Sequence, residues 1–301
     1  MIHWLVQSTE AHPDLARGQP PLGLLSAAEL ARFDAMRSPK RRHDWLLGRW
    51  TAKHLVQRFL LATTHQTAPL ATIEIKNEDD GSPFVELHAA IGIPGDGSNG
   101  SNRSNGSNGS NGSNGSNGSN GSNGSNGSNG SNGSNGSNGS SGRLPVCLTI
   151  SHCEEWALCA VIALDSRQAT SGPAASAGQA PPAIGVDIER VRPRDWNFVE
   201  TFFTEAEIRQ VQTAPPAWRD TLITAIWSAK EAALKVVKLG LTVDTRRVDC
   251  VCNLDRAPDD DWLPLQVTYH PATAAAAEIM PGWWTTRDGF VLTLAFSQNM
   301  A

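Results

Sequence analysis

From Ser98 to Gly142 the chain repeats Ser-Asn-Gly almost without interruption, broken by Arg103 and by a slip at Ser140–Ser141. No other feature restricts the fold as strongly. A polar three-residue period has no apolar face to bury, so a disordered, flexible insertion is expected here. Glycine at every third position is the collagen period, but proline is missing from the other two positions and a triple helix is not expected. A second, weaker linker is read in "DSRQATSGPAASAGQAPPA", residues 165–183. What remains, about 240 residues, suits two compact units of about 120 each.

The insertion lies between two expected strands, "SPFVELH" and "PVCLTISH", so it reads as an expanded loop within one unit. "HWLVQS", "ATIEIK", "WALCAVIAL", "AIGVDIERV", "VDCVCNL", "PLQVTYH" and "FVLTLAFSQ" carry strand patterns, the third apolar enough to be buried. "SAAELARFDAM" is a helix opened by Ser26 with Glu29 at the capping-box position. "RHDWLLGRWTAKHLVQRFLLA", "RDWNFVETFF", "TEAEIRQVQT" and "WRDTLITAIWSAKEAALKVVKLG" are helical. Short connections predict mainly antiparallel strands in an α/β (α+β) plan. The expected division is a first lobe at 1–166 with its insertion at 96–142, a linker at 167–183 and a second lobe at 184–301.

A net charge of −5, from 25 basic and 30 acidic residues, argues against a general nucleic-acid partner. No apolar run reaches the ~18 residues that span a bilayer. "MIHWLVQST" lacks the basic start of a signal peptide. Cys147, Cys153, Cys159, Cys250 and Cys252 form an odd set without a C-x-x-C pair, as reduced thiols do. A soluble, cytoplasmic monomer is expected.

In "WSAKEAALK", Trp227, Glu231 and Lys235 are spaced by four and share one helix face. In "AIGVDIERV", Asp187 and Glu189 are two apart and point to one side of a strand. Like charges so placed repel, and a divalent cation relieves them. With Glu231 from a neighbouring helix they would form an all-oxygen site suited to Mg2+, whereas no His/Cys cluster has zinc spacing. The plainer readings are strand-end acids in solvent, with Gly185 marking a bend, and an exposed Glu–Lys pair. Lys40, Arg41, Arg42, Arg49 and Lys53 gather around the start of a helix, a natural anion site or simply a solvated basic end. In "ISHC" the adjacent Ser151 and His152 point to opposite sides of a strand. They cannot form a nucleophile–base pair, and His152 suits phosphate contact or hydrogen bonding.

Taken in order, these stretches resemble the 4′-phosphopantetheinyl transferases, in particular the two-lobed surfactin-synthetase-activating type. That family carries I/V-G-V/I-D, then roughly 40 residues, then F/W-S/C/T-x-K-E-A/S-x-x-K. Here "IGVD" ends at Asp187 and "WSAKEAALK" opens at Trp227, with 39 residues between them. "ISHC" is similar to the family's I-S-H-S, "FFTEAE" to its F-F-S/T-x-x-E and "LLGRW" to its L-x-G-R helix, while "GSP" at Gly81–Pro83 stands where it has G-K-P.

The resemblance implies two similar α/β lobes packed as a pseudo-dimer, with coenzyme A in the cleft between them. It implies transfer of the phosphopantetheine arm to a serine of an apo acyl or peptidyl carrier protein, with release of adenosine 3′,5′-bisphosphate. Asp187, Glu189 and Glu231 would hold Mg2+, and Lys235 would neutralise the attacked phosphate. Arg42, Arg49 and His152, with Lys40 of the same basic cluster, would meet the nucleotide's phosphates. Gly81, Pro83 and Ser151 would lie at the adenine end, and Glu231 or Glu207 would act as base. "RVRPRDWNFVETFF" offers Arg190, Arg192, Arg194, Trp196 and Phe198 as a carrier-docking patch, with Phe202 and Phe203 as core. A Mg2+-dependent nucleotide phosphohydrolase and a non-catalytic coenzyme A-binding protein are the alternatives.

Overall fold

The nearly uninterrupted apolar run at 156–163 forms a strand buried on both faces, and the two halves of the chain are arranged around it. The computed structural model describes residues 1–88, 142–165, 182–254, 261–273 and 276–297. The Ser-Asn-Gly insertion, but for Gly142, and the second linker, but for residues 165, 182 and 183, lie outside them.

The first half contains β1 (His3–Ser8), α1 (Pro13–Ala16), α2 (Ala27–Ala35), α3 (Pro39–Thr64), β2 (Ile73–Asn77), β3 (Pro83–Leu87), β4 (Gly142–Arg143), β5 (Val146–Cys153) and β6 (Trp156–Ala163). The second contains β7 (Ile184–Arg190), α4 (Trp196–Phe202), α5 (Glu205–Thr213), α6 (Arg219–Val236), β8 (Val248–Cys252), β9 (Leu263–Tyr269), β10 (Glu278–Arg287) and β11 (Phe290–Phe296). The sheets run β1-β6-β5, β2-β3-β4 and β7-β11-β10-β9-β8, and every paired strand is antiparallel. Mixed helix and antiparallel sheet is therefore the observed class, as expected. The sequence reading omits β10, which contains Pro281 and Gly282, residues uncommon inside a strand. Gly282 permits a close approach: a Cβ there would stand 2.1 Å from the Leu294 carbonyl oxygen on β11.

Alternation along β6 divides the cores. Cys159 and Val161 pack with Ala52, Leu55 and Val56 of α3, while Leu158, Ala160 and Ile162 pack against Ile184, Val186 and Ile188 of β7 and against β11. The outermost strands β5 and β7 lie side by side and run in the same direction. Every second side chain of β5 reaches β7. Cys147 and Cys153 meet the backbone of Ile184 and Arg190, Thr149 Oγ1 accepts from Val186 N at 3.3 Å, and Ser151 Oγ donates to Asp187 Oδ1 at 2.7 Å.

Each long helix is anchored by a buried ion pair of the same construction. Glu29 closes the capping box of α2, pairs with Lys53 on α3 and accepts from Ile75 N on β2 at 3.2 Å. Glu207 closes the capping box of α5, pairs with Lys230 on α6 at 2.8 Å and accepts from Cys250 N on β8 at 2.8 Å. Both lysines complete their shells with backbone carbonyls, Leu24 and Leu70 for Lys53, Thr245 and Val248 for Lys230. A buried ion is tolerated when every donor finds a partner in this way.

Candidate functional site

Val186 and Ile188 turn toward the core between the halves, so Asp187 and Glu189 turn toward α6. Gly185 is no strand bend: it lets α6 press onto β7 where a side chain would hold it away. Ser228, Glu231 and Lys235 of α6 share the face turned to β7, and Lys235 Nζ donates to Val186 O at 2.7 Å and to Asp187 Oδ1 at 3.0 Å. The paired Glu231–Lys235 reading of the helix surface gives way to this cross-element contact.

Asp187 is buried and gathers three groups from two elements, β5 and α6. Oδ1 accepts from Ser151 Oγ of β5 at 2.7 Å as well as from Lys235, and Oδ2 accepts from Ser228 Oγ at 2.9 Å. Behind Ser228 stands Thr293 of β11, their hydroxyl oxygens 2.8 Å apart. Sequence reasoning passed over Ser228 and Thr293. Ser228 lies inside the recognised motif, but only the β7–β11 register, which sets Thr293 opposite Asp187, brings the threonine in.

Glu189 lies 3.4 Å from Arg194. Burial pushes its carboxyl up and Asp187 adds to this, while Arg194, a Trp227 hydrogen bond and Arg192 oppose it. Trp227 therefore does more than pack against Phe198 and Phe202, whose rings lie 5.2 and 5.3 Å away. Glu231 is pushed up to about 7, by burial first and then by Asp187, with Glu189 adding and Lys235 opposing. Three carboxylates, with hard oxygen donors only, are a set a divalent cation such as Mg2+ fits, and the ionisation of Glu189 and Glu231 is disfavoured beside Asp187. Among the described residues the trio whose ligand atoms lie within 4.8 Å of one another is a different one, Glu74, Glu86 and His88. There Lys76 already supplies the positive charge, 2.6 Å from Glu86.

Around this centre stand groups from the first half of the chain. His152, at the end of β5, is exposed, and its imidazole is held below the usual value by its dense surroundings, with Lys235 and Lys40 adding and Asp44 opposing. Lys40, at the start of α3, pairs with Asp44 at 2.7 Å and is largely exposed. The β2–β3 turn carries Gly81 in the left-handed region at φ +85° and leads into Pro83. Asp80 of that turn meets Lys238, just beyond α6, at 3.5 Å. The structure thus brings Lys40, His152 and Lys235 near one another and sets the Gly81–Pro83 turn beside Lys238, whereas Ser151, expected at the adenine end, is buried with its hydroxyl on Asp187.

Other expected site residues lie elsewhere. Arg49 is buried, donates to Ile75 O at 3.1 Å and stacks over Trp45. Desolvation lowers its pKa to about 10, Glu29 opposing. It turns inward to the Glu29 cluster and offers no open face to an anion. Lys53 does the same. Arg42 stacks over Phe33, 4.3 Å from the ring centre, and remains half-buried. Glu207 is 0 % exposed with its oxygens committed to Lys230, Thr204 N and Cys250 N, so it has no path to an incoming hydroxyl. Phe198 belongs to the aromatic cluster with Phe202, Phe203 and Trp227, whereas Trp196 is 40 % exposed.

Residues 183–286, which hold β7, α6 and the Asp187–Lys235 contact, match the model of the 4′-phosphopantetheinyl transferase superfamily. The resemblance seen in the motifs is borne out for that segment. Over 65 residues the chain is 31% identical to the holo-[acyl-carrier-protein] synthase of Lactococcus lactis subsp. lactis (strain IL1403), covering 22% of this chain and 55% of that protein. The chain thus spans about half the length of this curated relative. The crystal structure of Thermotoga maritima holo-[acyl-carrier-protein] synthase (AcpS) aligns at 17% identity over 38% of this chain and 62% of that one, with a TM-score of 0.26. Residues 91–144 also match the model of the collagen triple helix repeat (20 copies), against the expectation from composition. What the segment shares with collagen is glycine at every third position. Among the described residues no helix is long and apolar enough to cross a membrane.

Proposed function

We propose that this chain transfers the 4′-phosphopantetheine arm of coenzyme A to a serine of an apo carrier protein, acyl or peptidyl, and releases adenosine 3′,5′-bisphosphate. The observation that carries the reading is the convergence of Asp187 and Lys235 at 3.0 Å, within the matched segment and one turn from Glu231. Asp187, Glu189 and Glu231 would hold Mg2+, which when bound draws charge from the pyrophosphate oxygens. The carrier serine oxygen attacks the phosphorus of the arm, a new P–O bond forms, and the pyrophosphate bond to the nucleotide breaks. Lys235 spends two of its three donors on Val186 O and Asp187 Oδ1 and keeps the third for the phosphate under attack. Charge placed in advance against oxygens that gain charge lowers the barrier. Glu231 is the carboxylate left for the serine's proton, directly or through water, since a base poised near neutrality serves best. Lys40 and His152 face the leaving nucleotide, and the Gly81–Pro83 turn its adenine end.

The two halves read as copies of one plan packed as a pseudo-dimer. "WTAK" at 50–53 and "WSAK" at 227–230 hold the anchored lysines in the same setting, and the capping-box glutamates match. In that register His54 stands where Glu231 does and Arg58 where Lys235 does, so only the second copy carries the helix acid. The test is intact mass spectrometry of several apo carrier proteins incubated with the chain, coenzyme A and Mg2+. A gain of one phosphopantetheine is expected on at least one. Free phosphopantetheine with no modified carrier would instead favour the phosphohydrolase.

A further inference from the structure

We infer that Ser228, backed by Thr293, is a positioning residue that aims one oxygen of Asp187 at the metal. This rests on the reading of Asp187 as a metal ligand. A carboxylate oxygen has about two lone-pair directions to offer. Asp187 Oδ1 uses both, accepting from Ser151 at 2.7 Å and from Lys235 at 3.0 Å. Among the described residues Oδ2 accepts only from Ser228, at 2.9 Å, and is the oxygen with a direction to spare. Ser228 has one hydroxyl proton and directs it to Oδ2. It therefore accepts from Thr293 across their 2.8 Å separation, and Thr293 is the donor. Both hydroxyls are 0 % exposed, so no solvent competes with this order. Thr293 sits opposite Asp187 in the β7–β11 ladder, which ties the relay to the backbone of the same strand pair. The chain Thr293 to Ser228 to Asp187 runs one way and ends on the free oxygen.

Groups that orient a metal ligand change metal affinity or activity about 10- to 100-fold when removed. The full-length chain is titrated with Mg2+ by calorimetry at saturating coenzyme A, alongside transfer kinetics. Ser228→Ala is expected to weaken Mg2+ and lower kcat within that range while the coenzyme A KM holds. Thr293→Val, which keeps the shape and loses the hydroxyl, should produce a smaller loss of the same kind, and Thr293→Ser should restore it. The double variant Ser228→Ala, Thr293→Val should be no worse than Ser228→Ala alone, because Thr293 acts through Ser228. Additive losses, or unchanged Mg2+ affinity in Ser228→Ala, would overturn the relay. Should Ser228→Ala not fold, identical Mg2+ affinity in Thr293→Val and Thr293→Ser overturns it as well. If the unaltered chain takes up no Mg2+ and Asp187→Asn changes nothing, the reading of the site falls and the relay falls with it.

Discussion

Gly185 lies so close beneath Ala232 that a Cβ added to it would stand 1.9 Å from the Ala232 carbonyl oxygen. That contact sets how near α6 comes to β7, and so whether Lys235 can touch Asp187. Gly185→Ala is expected to force the two elements apart and to destabilise the fold by about 1–3 kcal/mol or more. Gly23→Ala, at φ +76° with nothing within 4 Å of its Cβ, carries only backbone strain, roughly 1–2 kcal/mol. Urea unfolding of both variants, with transfer assayed on the folded fraction, separates them. Gly185→Ala should lose activity beyond its loss of stability, and equal activity in the two variants would count against the spacing argument.

Lys235 holds a point charge against both a carboxylate and a carbonyl. Lys235→Met keeps much of its length and removes the charge. A fall in kcat of about 10²-fold or more is expected, the scale seen when one prearranged charge or donor is lost. Lys235→Arg should recover little, since the planar guanidinium cannot reproduce that pair of contacts. Single-turnover kinetics at saturating coenzyme A would read this directly.

Glu231, with its carboxyl at about 7, lies above the unfolded carboxylate value. The fold therefore favours its protonated form. That contribution to stability is full below the unfolded value of ~4.3 and is lost as pH rises through about 7. Metal binding needs the carboxylate and runs the other way. Mg2+ is expected to raise Tm more near pH 8 than near pH 6, and Glu231→Gln should flatten that difference. Differential scanning fluorimetry with and without Mg2+ checks it, and equal shifts at both pH values would remove Glu231 from the ligand set.

Trp196 opens α4 in the open, 40 % exposed, while Phe198 is stacked into the cluster around Trp227. The patch expected from "RVRPRDWNFVETFF" therefore shrinks to Trp196 with Arg190 and Arg192. Trp196→Ala should raise the carrier-protein KM with the coenzyme A KM and Tm unmoved. Phe198→Ala should lower Tm by several degrees, as loss of a core aromatic does. A rise of both KM values in Trp196→Ala would direct the search for the docking surface elsewhere.

Strand alternation and helical spacing made Asp187, Glu189, Glu231 and Lys235 legible, because both periods dictate which way a side chain points. What crosses space was not legible. Ser151 and Ser228 reach Asp187 from 36 and 41 residues away, and nothing local marks them as its partners. Arg49, Lys53 and Glu207 were read as open charges since charged side chains are rarely fully buried. The structure turns each of them inward, because a capping-box glutamate can face a lysine on the neighbouring long helix. β10 was not read at all; it contains Pro281 and Gly282, and close strand contact explains the glycine.

The seam between β5 and β7 also hides two edges. Each strand is the outermost of its sheet, and an outermost strand offers a row of N–H and C=O groups to any other chain that can pair with it. Here each edge is the other's cover, sealed by thiols and hydroxyls short enough to let the backbones lie close. Cutting the chain into separate halves would uncover both at once, and each half is then expected to self-associate through its bared strand.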